Sequence, residues 1–294
     1  LSRPEDARRE IEDVLQKDSN DPSALAMLAE LHARRGNELD AARVWERLAR
    51  VAREGRGEHA LRAARILADA KETERVLGLI SGDTVADAPG EWAQLVLTAF
   101  RESDAEVFAA AVDRLAASAG LPAPDLARLR NVATRRLLAT ADTSAALRRA
   151  REVAEAQPDD PEAQLQLLLA EYKTRGMGTP RDAEDVVARL NELSPRVATE
   201  QLEVHTFLLA EALDVIMGGG AGMRELSARH AEIGARPLIA LGMGERLCRA
   251  RSFDTALPLL RIALDGDLMG LRSRSRLALT ASEAALQLVR AEED

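Results

Sequence analysis

Aromatic side chains are scarce in this chain. Trp45, Trp92, Tyr172, Phe100, Phe108, Phe207 and Phe253 are the whole complement in 294 residues. The mixture of aromatic and β-branched residues that favours strands is correspondingly thin. Cysteine is nearly absent. Cys248 stands alone, so no intrachain disulfide can form, which is compatible with a reducing, cytoplasmic setting. Lysine is reduced to Lys17, Lys71 and Lys173, and arginine carries almost all the positive charge. That bias reads as the codon usage of a GC-rich, bacterial genome rather than as a phosphate-binding device. Nowhere does the sequence approach the run of about 20 apolar residues that a membrane helix needs. No signal-peptide pattern opens it, and the start Leu-Ser-Arg-Pro without Met suggests a fragment of a longer protein.

Positive charge is also outweighed. Lys and Arg number 40 against 49 Asp and Glu, a net charge of −9. Such a chain is a poor partner for nucleic acid or an anionic membrane surface, both of which need basic patches. What is abundant is Ala, Leu, Arg and Glu, residues that lose little rotamer freedom in a helix. Apolar residues make up 46% of the chain, enough to fill a continuous core, and the expected class is all-α.

Punctuation by Pro, Gly, Asp, Ser and Thr divides the chain into helices with apolar spacing between. First helices of pairs are expected to begin near Pro22, Glu58, Gly90, Ala123, Asp160, Val197 and Arg236, with a last helix near Gly270. The intervals are about 36, 32, 33, 37, 37, 39 and 34 residues, and a near-constant period of this size is the signature of stacked helix hairpins. Second helices should start near Glu38, Lys71, Ser103, Asp142, Pro180, Ala221 and Ser252. The short connections make paired helices antiparallel neighbours. Pro4 to Gln16 form one more helix, resembling the second helix of a preceding pair. The stretch 71–90, with Gly78, Gly82 and Pro89-Gly90, leaves room only for a short second helix.

Three places carry a family resemblance. In the first pair, Leu28-Ala29, His32 and Gly36 are followed by Ala41, Trp45 and Leu48. In the fifth, Leu168-Leu169, Tyr172 and Gly176 keep the same spacing. In the seventh, Met243-Gly244 and Leu247 precede Phe253, Ala256, Leu260, Ala263 and Leu264. Small residues at such positions suit close helix crossings, with large ones filling the gaps beside them. The pattern resembles the tetratricopeptide family. His32 departs from it, standing where an aromatic is usual, as do large Leu169 and Pro258 near the start of a helix. Pairs two, three, four and six match by period more than by motif. The resemblance implies a right-handed α-solenoid, a superhelix of stacked antiparallel helix pairs. Its expected plan is one domain over 1–294: a partial repeat at 1–20, about seven pairs over 21–269, and a capping helix at 270–294 with a polar outer face.

No constellation for catalysis stands out. His32, His59, His205 and His230 fall in four different pairs, and no metal-ligand spacing occurs. The glycine cluster 218–222 lacks both a preceding strand and a following Gly-Lys-Ser/Thr, so a helix-to-helix turn fits it better than a phosphate loop. No nearby base argues for Cys248 as a nucleophile. Neither enzyme activity nor a cofactor or metal is expected.

The resemblance implies binding of a protein or peptide along a concave surface lined by first helices. By register, Glu30 and Arg34 of the first pair, Gln166 and Lys173 of the fifth, and Glu245 and Arg249 of the seventh face that surface. The Lys and Asn clamp of carboxylate-binding members is absent. The groove, apolar with scattered charge, fits an amphipathic helix or an extended peptide. Arg272 and Arg276 on the last helix form a basic pair that can meet a partner's carboxylates. The expected function is a non-catalytic scaffold for protein–protein interaction. The alternatives are a regulatory or substrate-recruiting module of a larger enzyme or signalling protein, or an effector of a small GTPase.

Overall fold

A computed structural model describes residues 4–118, 120–140, 142–218, 220–271 and 274–293 of the chain. Among the described residues there is no strand, and the helices pack in adjacent pairs. Contacts group the chain into two compact units, Leu1–Ala133 and Thr134–Asp294.

The first unit holds α1 (Pro4–Lys17), α2 (Pro22–Arg34), α3 (Glu38–Val51), α4 (Arg56–Asp69), α5 (Thr73–Leu79), α6 (Gly82–Val85), α7 (Pro89–Ala99) and α8 (Ala105–Ala117). Helix α9 (Ala123–Leu138) spans the boundary. Local chemistry sets several of these starts. Pro22 occupies the first turn of α2, where its missing N–H costs nothing, and the Asp21 carboxylate accepts the Ala24 N–H at 2.7 Å. Helices α2, α3 and α4 then pack in succession. Their contact is filled by Leu25, Ala29, Ala41, Trp45, Leu48, Ala52 and Ala63. Fully buried alanines on all three helices let the backbones approach, and Trp45 and Leu48 fill the remaining space.

The stretch after α4 is as short as its glycines suggest. Lys71 adopts a positive φ of 61°, which ends α4 and delays the next helix to Thr73. Two short helices, α5 and α6, replace one long one. Their junction is tied by side chains: the Thr84 hydroxyl donates to the Leu79 carbonyl at 2.6 Å, and the buried Trp92 indole N–H donates to the Thr84 carbonyl at 2.8 Å. A break in helical bonding is thus repaired by two specific hydrogen bonds.

The second unit holds α10 (Thr143–Ala156), α11 (Pro161–Arg175), α12 (Pro180–Leu193), a 3₁₀ turn (Ser194–Arg196), α13 (Leu202–Met217), α14 (Ala221–Ile233), α15 (Pro237–Arg249), α16 (Phe253–Asp265) and α17 (Arg274–Glu293). Asp142 caps α10 by accepting the Ser144 and Ala145 N–H groups, each at 3.0 Å. Those bonds, together with one to the Ser144 hydroxyl, hold its carboxyl below the usual range. Thr179 and Asp182 form a reciprocal capping box at α12. The α15–α16 contact is the most extensive in this unit. It depends on Gly244, where a Cβ would lie 2.7 Å from Leu260 Cδ2.

Two expected starts move. The first helix of the sixth pair begins at Leu202 rather than near Val197, because the 3₁₀ turn and the Ala198–Gln201 turn intervene. The last helix begins at Arg274 rather than near Gly270, because Met269 sits at φ 47°, outside helical geometry. The polar outer face expected of that helix is also corrected. Leu277, Ala281 and Ala284 are buried, but Leu279, Leu286 and Val289 are 64, 50 and 52% exposed.

Candidate partner-binding surface

In the first unit, α4 and α7, the first helices of the second and third pairs, touch directly. Beside that contact lies an open groove of about 930 Å³, bordered by Arg65, Lys71, Glu91, Leu95, Glu102 and Val107 among others. Its charges are pre-paired: Arg65 bonds Glu91 across the two helices, and Lys71 lies 3.7 Å from Glu102. Both residues of the second pair are largely solvent-exposed, so screening leaves it little strength and either is free to exchange for a partner's charge.

In the same unit, two side chains of α4 lie against the Trp45 ring. The His59 imidazole stacks on it with centroids 5.5 Å apart, and the Arg62 guanidinium lies 4.9 Å from its centroid. Glu58 holds Arg62 at 2.8 Å. Burial pushes the His59 pKa down, with Arg62 adding to the effect against an opposing pull from Glu58.

In the second unit, α11, α13 and α15 touch in sequence, α11 against α13 and α13 against α15. A polar network joins them. The Tyr172 hydroxyl donates to Glu211 at 2.6 Å. Arg246 donates to Glu211 at 2.9 Å and to Asp214 at 2.8 Å, and the Gly222 N–H donates to Asp214 at 2.7 Å. The Arg246 side chain is more buried than either carboxylate, with 8% of it exposed. Its remaining reach goes to the Gly242 carbonyl at 2.9 Å. Gly222 is needed for close approach: a Cβ there would lie 2.3 Å from the Ala210 carbonyl. The sequence reading of residues 218–222 as a turn accounts for the helix break but not for this contact.

Glu211 also opens onto a groove of about 710 Å³ shared with Glu245, Cys248, Arg249, Phe253 and Glu283. The sequence-derived residues Glu245 and Arg249 therefore lie together here, the Arg249 Nε donating to the Glu245 carbonyl at 3.3 Å. Burial pushes the Cys248 thiol up, and the Glu245 and Glu283 carboxylates push it further, which disfavours the nucleophilic thiolate.

The other sequence-derived positions separate. Glu30 and Arg34 form an exposed pair at 3.6 Å on α2. Gln166 is buried, 7% exposed, and its amide donates to Glu162 at 3.0 Å. Lys173 is half-buried and committed. Its ammonium donates to the carbonyls of Leu138, Thr140 at 3.2 Å and Met269 at 3.3 Å, tying the end of α9 to the turn before α17. Arg276 is exposed on α17, and Arg272 lies outside the described residues. The groove between α4 and α7 was missed by sequence reading because its pairs lack the repeat motif. The only signal was the clustering of opposite charges at Arg65, Asp69, Glu91 and Glu102.

Chemically, these surfaces combine charged side chains of both signs with apolar neighbours. Among the described residues no group of three or more His, Cys, Asp or Glu side chains is arranged to hold a metal ion, and no helix is long and apolar enough to cross a membrane. His205 is buried, with Nε2 2.9 Å from the Leu190 carbonyl. Compared with known proteins, the chain matches no family model, and no curated protein matches its sequence.

Proposed function

We propose that this chain is a non-catalytic, cytoplasmic protein-binding scaffold of the tetratricopeptide kind, in which helix pairs stack in a right-handed sense within each unit. Its partner is a peptide, a helix or a folded protein, held along the surface that the first helices line. The observation that carries this reading is the direct contact between first helices of successive pairs, α4 with α7, and α11, α13 and α15 in turn. Within each unit such contacts line up the first helices of neighbouring pairs, which supports the arrangement by which repeat proteins present an extended binding surface.

The two grooves on these faces support the same reading. Each combines apolar floor residues, Leu95 and Val107 in one and Phe253 in the other, with exposed charges of both signs. That lining suits an amphipathic segment, whose apolar side takes the floor and whose charges exchange with the rim. Glu102, Arg249 and Arg65 are the residues through which a partner would be selected. Lys173 and Gln166 leave the candidate set, because both are engaged in holding the fold.

The test is capture from the native lysate followed by mapping. Glu102→Lys or Arg249→Glu should release the captured partner. Arg50→Glu, on the second helix of the first pair, should leave it bound. Release by Arg50→Glu alone would assign binding to the opposite face and overturn the proposal.

A further inference from the structure

Three arginines border one open cavity of the first unit. Arg50 of α3, Arg56 at the start of α4 and Arg75 of α5 line a space of about 590 Å³, together with Glu46, Asp83 and Ser81. Three guanidinium groups stand against two carboxylates there, a local charge of +1 in a chain whose net charge is −9.

The two carboxylates are unequal. Glu46 is held in place: its side chain is 12% exposed, and Arg75 donates to it at 3.1 Å. Arg50 comes no closer than 4.0 Å to the same carboxylate, and its guanidinium makes no hydrogen bond to a described residue. Asp83 accepts from Arg56 at 3.0 Å but is 78% exposed, so solvent screens that pair and an incoming anion can take its place. With Asp83 turned out to water, three guanidinium groups and one carboxylate leave a charge of +2. That balances the nearly two negative charges that a phosphate monoester carries at neutral pH.

Arg56 adds an independent sign. Its Nε is buried without a hydrogen-bond partner, and its terminal nitrogens reach only Asp83 and, at 3.3 Å, the Ala52 carbonyl. A buried donor without an acceptor calls for a local cause, and a site for an anion is one. The planar guanidinium fork matches phosphate oxygens two at a time. The volume falls within the range of about 300–1,000 Å³ that small-molecule sites occupy. Ala49 and Leu79 on its wall leave an apolar surface for an organic group that carries the phosphate.

We propose that this cavity binds a phosphate monoester through Arg50, Arg56 and Arg75, with Asp83 as the group that the phosphate displaces. Elsewhere in the chain arginine is a matter of composition; here three helices bring it to one place. The cavity shares no lining residue with the grooves assigned to the protein partner.

A proton NMR titration of phenyl phosphate with the whole chain at low ionic strength tests this. A dissociation constant on the order of millimolar is expected. Arg50→Gln should weaken binding about tenfold. Arg43→Gln, the same change of charge on the same helix but outside the cavity, should leave it unchanged. Asp83→Asn should tighten binding, because Arg56 is then released to the ligand; a purely structural pair predicts no gain. Arg50 and Asp83 are both mostly exposed, so the helical circular dichroism of these variants should match that of the parent chain. Benzoate, with the same ring and a single charge, should bind more weakly by about tenfold or more. Equal weakening by Arg50→Gln and Arg43→Gln would reduce the effect to general charge attraction and overturn the proposal. So would unchanged or looser binding by Asp83→Asn, benzoate binding as well as phenyl phosphate, or no binding of phenyl phosphate. A phosphoserine peptide then identifies the source of the ester. Tighter binding than phenyl phosphate assigns the site to a phosphorylated protein, and equal or weaker binding assigns it to a small molecule.

Discussion

The Arg246 guanidinium and the Glu211 carboxylate, 2.9 Å apart and 35 residues apart in sequence, join the first helices of two successive pairs. Asp214 receives the same guanidinium at 2.8 Å. Arg246→Ala leaves both carboxylates partly buried without their cation, and the loss is expected to be about 3 kcal/mol. Chemical denaturation followed by circular dichroism measures it. Tyr172→Phe, which removes only one neutral donor to Glu211, should cost less, about 1 kcal/mol.

Gly222→Ala is expected to destabilise although alanine is the better helix former. The new methyl meets the Ala210 carbonyl and the Asp214 carboxylate, so α13 and α14 must separate or shift. The expected cost is about 1–3 kcal/mol, typical of overpacking. Gly218→Ala serves as a control, since no atom lies within 4 Å of its added methyl, although its φ of 69° still carries a smaller backbone penalty.

His205 predicts a pH dependence. Burial holds its folded pKa below the ordinary 6.5, assisted by Arg229 and opposed by the Leu190 carbonyl and Glu225. Below about pH 6.5 the unfolded chain takes up a proton that the folded chain does not. Stability is therefore full above that value and is lost as the pH falls, by at most about 1.4 kcal/mol per pH unit for this one group. His59, lowered in the same direction, adds to the trend. Denaturation midpoints near neutrality and at about pH 5.5 should differ, and His205→Leu should reduce the difference. An unchanged slope in that variant would remove His205 as its source.

Lys173→Met separates folding from binding. It abandons three carbonyl acceptors and is expected to cost about 1–3 kcal/mol. Partner capture by the protein that remains folded should be unaffected. Reduced capture at unchanged folded fraction would return Lys173 to the binding surface.

Helix starts were legible where the chemistry is local. Pro22, Pro161, Pro180 and Pro237 each open a helix, and Asp21, Asp142, Asp160 and Thr179 each cap one with an adjacent side chain. The starts of α13 and α17 were not, because a 3₁₀ turn and the left-handed Met269 delay them, and no nearby residue announces either. The fate of Lys173 was hidden for another reason. Its acceptors at Leu138 and Met269 lie 35 and 96 residues away, and no helical register reveals a distant carbonyl. Arg246 escaped notice likewise, since a lone arginine on an apolar helix resembles any solvated one until Glu211 and Asp214 are brought beside it. The family pattern marks residues that hold helices together, and the groove of α4 and α7 belongs to pairs where that pattern is faint.

Trp45 and Trp92 both lie in the first unit, and the single tyrosine lies in the second. The protein is therefore spectroscopically partitioned by its own sequence. Ultraviolet emission excited beyond tyrosine absorption reports residues 1–133 alone, while circular dichroism sums every helix. Trp45, in contact with a titratable imidazole and a guanidinium, doubles as an optical pH gauge for its surroundings. No label is needed to watch one half of this molecule while the other is perturbed.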